Sequence, residues 1–321
     1  MPLVGAAGIG SMLGSGIIIG LSATITVWQS GLGLTDGQVG ILSGALTFAI
    51  AAGSLLAGNI TKLFGLICSF NLMNLMYLIG AAICVLSGNF PVLLAGLIIT
   101  GFASGADLPI SLTVISHDAP NEKVSASLIA STQVFWQIGV LGSYAMAFIV
   151  SHVEGAAGAR MVFALLAVLA GIAFVWRTFS KKFKEFHAAG DEYRAAEGTK
   201  TSTEVSFASL FKGTDGKKYV SFFSCIIIFY VCWNLLANTF GQFQTYILVK
   251  ANASQSLATG CGIVLNIVGL ICGILFASAA GSKHRNKFFY VGIVIQAGAM
   301  IGIAPVSYTH LRAHETEADL V

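Results

Sequence analysis

The chain has 321 residues, of which 56% are hydrophobic and only 10% charged, and its formal net charge is +3. A soluble domain carries about 25% charged residues, and a mean hydropathy of +0.83 excludes one here. Apolar runs that stay unbroken for ~20 residues also exclude the alternating strands of a β-barrel, which leaves helices that satisfy their own backbone inside a bilayer.

In chain order, the runs predict membrane helices over residues 3–28, 38–57, 66–86, 90–115, 126–150 and 160–176. After a polar interval, three more follow over 219–248, 257–280 and 288–304. The connections are short and rich in Gly, Asn, Pro and Ser, as turns between antiparallel helices are. The first run lacks a basic flank and is too long for the apolar part of a signal peptide, so it reads as the first span.

Lys and Arg set the expected orientation. One set of alternate loops holds fourteen of them: Lys62, Lys123, nine in the interval 177–218, and Lys283, Arg285 and Lys287. The opposite set holds only Arg160 and Lys250. The N-terminus and the interval are therefore expected on the cytoplasmic side of a plasma membrane. Within the interval, residues 181–196 have the pattern of an amphipathic helix lying on an anionic leaflet, or of a solvated linker.

Residues 1–176 thus form an expected six-helix domain, 177–218 a linker, and 219–304 half of a second domain. The stretch 305–321 changes character abruptly at Ser307-Tyr308-Thr309-His310. It is read as a non-native tail, as translated adapter sequence would be, and the chain as a fragment.

All six cysteines (Cys68, Cys84, Cys225, Cys232, Cys261 and Cys272) fall within spans, without CxxC or clustered His. Neither a disulfide framework nor a zinc site is expected, and no cofactor. No nucleophile–base pair or phosphate loop appears, so an enzyme is not expected.

Polar groups inside the spans carry the functional reading. Asp107 is the only acid within a predicted span. It lies ~13 Å from Ser116 and Gln133 lies ~10 Å from Ala126 at helical rise, so the two sit at similar depth on consecutive helices. A buried charge costs at least ~2.5–3.5 kcal/mol on insertion scales and is expected to face a partner or a wet cavity. Asp107 has three readings: a proton-exchanging group, an acceptor for solute hydroxyls, or a group held by a permanent partner such as an amide or hydroxyl from another helix. His117 and Asp118 are expected at the cytoplasmic mouth, solvated or pairing across a gate.

The seventh span repeats Tyr230, Asn234, Asn238, Gln242 and Tyr246 every four residues. Asn234, Asn238, Gln242 and Thr245 span about 80° of the helical wheel. Amides both donate and accept, which suits a polyhydroxylated solute, and Trp233 or Tyr230 suits a sugar's apolar face. A ladder of interhelical bonds is the plainer reading. On the first span, Ser11, Ser15, Ser22 and Thr26 fall within about 60° of each other. They would line a cavity or, with Gly10, Gly14, Gly16 and Gly20, support close packing.

These residues resemble the major facilitator superfamily, and within it the sugar porters and their polyol-transporting relatives. The resemblance covers residues 3–304. It rests on Gly101, Gly105, Pro120, Gln133 and Gly139 at family spacing, on the Q-x5-G pattern of Gln133 to Gly139, and on the amide-rich seventh span. It implies an all-α membrane bundle of the major facilitator type, with six helices of one domain and three of an incomplete second. It further implies alternating-access transport of a sugar or polyol by a monomer, without nucleic acid, and with a proton as coupling ion.

Gln133, Gln137, Asn234, Asn238, Gln242 and Trp233 would then hold solute, and Asp107 would couple or bind. Gly101, Gly105, Gly139 and Gly142 would let helices approach. Gly58, Lys62 and Gly65 match the family's gating loop G-x3-D-R-x-G-R, but Thr61 and Leu66 replace its acid and its last basic residue. After the fourth span the family has E-x-x-P-x-x-x-R-G; here His117 stands for the acid and Val124-Ser125 for the R-G pair. Two other readings stay open. A carrier of organic acids or drugs would need a basic residue or a large aromatic pocket within the spans, and no secure internal Lys or Arg is found. A non-transporting, truncated membrane protein is the other.

Overall fold

The computed structural model describes residues 2–118, 122–153, 155–196, 216–280, 287, 290–298 and 301. Every element among them is a helix: α1 (Pro2–Leu32), α2 (Asp36–Phe64), α3 (Leu66–Leu86), α4 (Phe90–Asp118), α5 (Glu122–Ile149), α6 (Ala157–Phe179), α7 (Lys181–Ala196), α8 (Gly216–Lys250) and α9 (Gln255–Ala280). Residues 290–298 are also helical, within the expected ninth span. Seven of the described helices are long and apolar enough to cross a membrane. α5 matches them in length and carries Gln133 and Gln137 in its apolar run. The tail 305–321 lies outside the described residues.

Turn chemistry sets the first boundary. Gly33 takes φ 64°, and Thr35 then opens α2 with a capping box. Thr35 Oγ1 accepts from the Gln38 amide at 3.3 Å, and Gln38 Oε1 accepts from the Thr35 amide at 2.9 Å. Two of the helix's orphan donors are met reciprocally.

α1 lies at the centre of the first six helices. It packs on α5, α6 and α4, while α2 lies on α4, and α3 lies on both α4 and α6. The main core joins Leu13, Ile17, Leu21, Ile25 and Trp28 of α1 to Leu42, Leu46, Leu97 and Phe163. Trp28 meets Phe163 edge-on, with ring centroids 5.7 Å apart. In lipid there is no solvophobic drive between helices, so small residues that allow close backbone contact decide the pairing. A Cβ on Gly105 would strike the Ile50 carbonyl of α2, and one on Gly139 would strike the Met12 carbonyl of α1. Gly101 faces Leu46 of α2, with the nearest atom 2.9 Å from such a Cβ. Gly142, expected to act the same way, faces open space instead.

Pro109 lies inside α4. It has no N–H to offer the carbonyl four residues back, which is that of Gly105. Ser54 of α2 supplies the missing donor, its Oγ 2.8 Å from the Gly105 carbonyl. The same residue pair thus closes the α2–α4 contact and satisfies a backbone group that lipid would leave bare.

Two corrections concern boundaries. α2 runs on to Phe64, so Gly58 and Lys62 are helical and the expected gating loop shrinks to Gly65, at φ 81°. α6 continues to Phe179 and takes in Arg177, which hydropathy places in the linker. The amphipathic stretch 181–196 does form a helix, α7, with Phe183 buried against Ile110, Val114 and Ile115 of α4.

α8 and α9 join this bundle along α1 and α5. The hydroxyls of α1 make that seam. Ser22 Oγ donates to the Gly241 carbonyl at 2.8 Å, and Thr26 Oγ1 donates to Gln255 Oε1 at 2.6 Å. Gln255 Nε2 donates back to the Ala23 carbonyl at 2.7 Å. Ser15 Oγ donates to the Trp136 carbonyl of α5 at 2.7 Å. All of these hydroxyl residues are buried, so here they serve helix packing.

Candidate functional site

Two polar sites stand out, one in the first six helices and one beside α8. The first is an ion pair. Asp107 of α4 lies against Arg177 of α6, with Arg177 Nη1 donating to Oδ1 at 2.7 Å and Nη2 to Oδ2 at 3.3 Å. The Arg177 side chain is 0% exposed and that of Asp107 6%.

Neighbours occupy the remaining hydrogen-bonding capacity. Arg177 Nη1 also donates to the Phe70 carbonyl at 3.0 Å, and the guanidinium stands 3.8 Å above the Phe70 ring. Ser111 Oγ donates to Asp107 Oδ2 at 3.2 Å. With its oxygen turned toward Arg177, the Asn74 amide accepts from Nε at 3.0 Å. A bidentate, desolvated pair of this kind holds both charges with fixed geometry.

α1 leaves room for it. A Cβ on Gly10 would run into Asp107 Oδ2 and lie 2.8 Å from Arg177 Nη2. Asp107 therefore has a partner on another helix, and the spans do contain a buried cation. Sequence reading missed Arg177 because the apolar run ends at Trp176. The signal was nonetheless there: Phe163, Leu166, Ala170, Ala173 and Arg177 follow one buried helical stripe. An internal cation would suit an anion carrier, but this one is neutralised and sealed.

The second site is a cavity of about 540 Å³ between α2 and α8. Tyr230, Asn234, Asn238, Thr239 and Gln242 line one side, and Gly40, Gly44, Thr47 and Phe48 the other. The four-residue spacing of the amides turns them to one face, and the glycines of α2 give it width. Gln242 Nε2 donates to Thr47 Oγ1 at 2.8 Å. Asn238 Nδ2 donates to Asn234 Oδ1, and Asn234 Nδ2 donates to the Tyr230 carbonyl at 2.8 Å. Asn238 is exposed and Asn234 and Gln242 are half-buried, and each keeps hydrogen-bonding capacity for a ligand's hydroxyls.

Other expected residues lie elsewhere. Gln133 is exposed and Gln137 half-buried on α5, and neither lines this cavity. Trp233 is 45% exposed and also outside the lining; the aromatics beside the amides are Tyr230, Phe48 and Phe243. Thr47 was not foreseen, since a lone threonine in an apolar span has no pattern to mark it. Among the described residues, no group of three His, Cys, Asp or Glu is arranged to hold a metal.

At the end of the bundle remote from α7, the two sets of helices are tied together. Lys250 Nζ lies 3.2 Å from Asp36 Oδ1, and Ser151 Oγ lies 2.8 Å from Ser256 Oγ. The amide-lined cavity lies between α2 of the first group and α8 of the second. The family model for the Major Facilitator Superfamily matches residues 4–314. The chain belongs to the major facilitator superfamily.

Relatives within the superfamily include the minor myo-inositol transporter IolF of Bacillus subtilis, 28% identical over 309 residues. That match covers 94% of this chain and 68% of the relative. The solute carrier family 2 facilitated glucose transporter member 10 of Xenopus laevis is 24% identical, over 93% of this chain and 57% of its own length. Among solved structures, the partially occluded inward-open xylose transporter XylE from E. coli superposes with a TM-score of 0.66 at 14% identity. It covers 88% of this chain and 73% of that one. A D-xylose-proton symporter structure gives 0.61 at 16% identity, covering 87% and 68%. The fold is that of this superfamily, an all-helical, multi-pass membrane bundle.

Proposed function

We propose that this chain is a secondary transporter of a sugar or polyol that works by alternating access. The observation that carries the reading is the row of Asn234, Asn238 and Gln242 along one cavity wall opposite Thr47. Neutral amides read hydroxyl patterns without demanding charge, and Tyr230 offers a flat apolar face beside them. The relatives named for inositol, glucose and xylose transport support the same solute class. The solute is moved unchanged, and no covalent chemistry is assigned to any side chain.

Proton coupling is the finer part of the proposal. Asp107 is held by Arg177 across α4 and α6. A proton on Asp107 would leave Arg177 with an unbalanced buried charge, so protonation and the fit of these two helices are linked. The orientation proposed puts the N-terminus and α7 in the cytoplasm. With Arg177 removed from the loop count, thirteen basic residues still oppose two. A monomer in the plasma membrane completes the reading.

Uptake of labelled myo-inositol and D-xylose into vesicles carrying the chain tests it, with and without an imposed proton gradient. Saturable uptake reduced by Asn234→Ala or Gln242→Ala is expected. Uptake that ignores both substitutions would overturn the assigned site. In Asp107→Asn, gradient-driven accumulation should fail while solute binding persists; accumulation equal to wild type would remove Asp107 from coupling.

A further inference from the structure

α7 follows α6 after the single residue Ser180 and lies back against α4. Phe183 anchors it, buried and edge-on to Trp176 at 5.5 Å between ring centroids. One turn on, a polar cluster closes the contact. His117 Nδ1 lies 2.8 Å from Asp118 Oδ1, and His117 Nε2 lies 3.2 Å from Asp191 Oδ1. His187 of α7 meets the other Asp118 oxygen through its own Nδ1. The Asp118 side chain is 0% exposed, with His117 and His187 at 18% and 12%.

The count of protons in this cluster is informative. His117 presents each ring nitrogen to a carboxylate oxygen, on Asp118 from α4 and on Asp191 from α7. A neutral imidazole has one N–H and can donate to only one of them; the imidazolium donates to both. His187 makes a single such bond and needs no added proton for it. The charged groups meeting His117 among the described residues are these two aspartates, one on each helix. α1, which also packs on α7, carries no titratable side chain over Pro2–Leu32, and α6 meets α7 through Trp176 on Phe183.

Gly190 shows how close the approach is. A Cβ there would lie 2.9 Å from His117 Nδ1, 3.0 Å from the His117 carbonyl and 3.1 Å from Asp118 Oδ1. The backbone of α7 is pressed onto the very side chains that share the proton.

We propose that His117 is a proton-operated latch, which docks α7 on α4 when protonated and releases it when neutral. Binding of the proton and docking of the helix strengthen each other by the same factor. Docking therefore tightens as pH falls and loosens as it rises. The latch sits in the segment that joins the first six helices to α8, so its state sets how much slack that tether has. It does not depend on which solute is carried.

Hydrogen exchange over residues 181–196 tests this, on the full chain in lipid nanodiscs at pH 6 and pH 8, corrected for the chemical exchange rate. Two charge-assisted hydrogen bonds to one imidazolium should make α7 protection about tenfold greater at pH 6. His117→Gln keeps a hydrogen-bonding side chain without a titrating proton and should abolish the difference. Asp191→Asn, an exposed change that spares the fold, should reduce it. His187→Gln should retain it. Equal protection of the wild type at both pH values overturns the proposal, as does a pH dependence that survives His117→Gln or vanishes in His187→Gln. Solute uptake does not enter this readout, so failure of the transport reading would leave it intact.

Discussion

Replacing Arg177 with methionine removes a guanidinium that holds Asp107 at 2.7 and 3.3 Å, donates to the Phe70 carbonyl at 3.0 Å and stacks at 3.8 Å over the Phe70 ring. Methionine fills much of the volume but leaves the Asp107 carboxylate buried and unpaired. Breaking one side of a buried pair costs about 3–5 kcal/mol, because the surviving charge keeps its desolvation penalty. Arg177→Met is therefore expected to lose about that much stability, and the double variant Asp107→Asn/Arg177→Met to regain most of it. Unfolding in mixed micelles, followed by helical circular dichroism for wild type, both single variants and the double, measures the cycle. A loss below ~1 kcal/mol in Arg177→Met, or a double variant no better than the single, would refute the claim that these two charges are held by each other.

Gly105→Val puts branched carbons into the Ile50 carbonyl of α2 and should cost about 1–3 kcal/mol, read in the same unfolding assay. Ser54→Ala strips the donor from the carbonyl that Pro109 frees; it should cost about 0.6 kcal/mol, the usual worth of an interhelical bond in a bilayer. Lys250→Ala removes an exposed pair with Asp36, and the midpoint of unfolding should stay at the wild-type value. Gln255→Ala deletes both bonds that tie α9 to α1; crosslinking between cysteines placed on those helices should drop while the helix content is unchanged.

The helices were legible because a bilayer enforces a simple rule: an apolar stretch of spanning length satisfies its own backbone. That rule reads hydropathy alone, and it misreads helix ends where a polar residue is buried. Arg177 ends the apolar run yet continues the buried stripe of α6, so periodicity would have kept it where hydropathy cut it off. Gly58 and Lys62 fall in the expected loop for a different reason: exposed Asn59 and Lys62, with half-buried Thr61, dilute the hydropathy of a run that α2 continues through. On the sites, the amide spacing of α8 predicts a shared face, and Asn234, Asn238 and Gln242 do line one cavity. Which helix stands opposite is a matter of tertiary packing, and the amide row could not name Thr47 or α2. The distances between Asp107 and Arg177, seventy residues apart in sequence, are likewise set only by how α4 and α6 meet.

The most direct measurement is calorimetric titration of the reconstituted chain with myo-inositol, D-xylose and, as a charged control, succinate. The account predicts saturable binding of a polyhydroxylated solute, none of succinate, and affinity lowered about threefold to tenfold by Asn234→Ala or Gln242→Ala, the worth of one hydrogen bond each. Binding of succinate in preference to both polyols, or polyol binding untouched by either substitution, would contradict it.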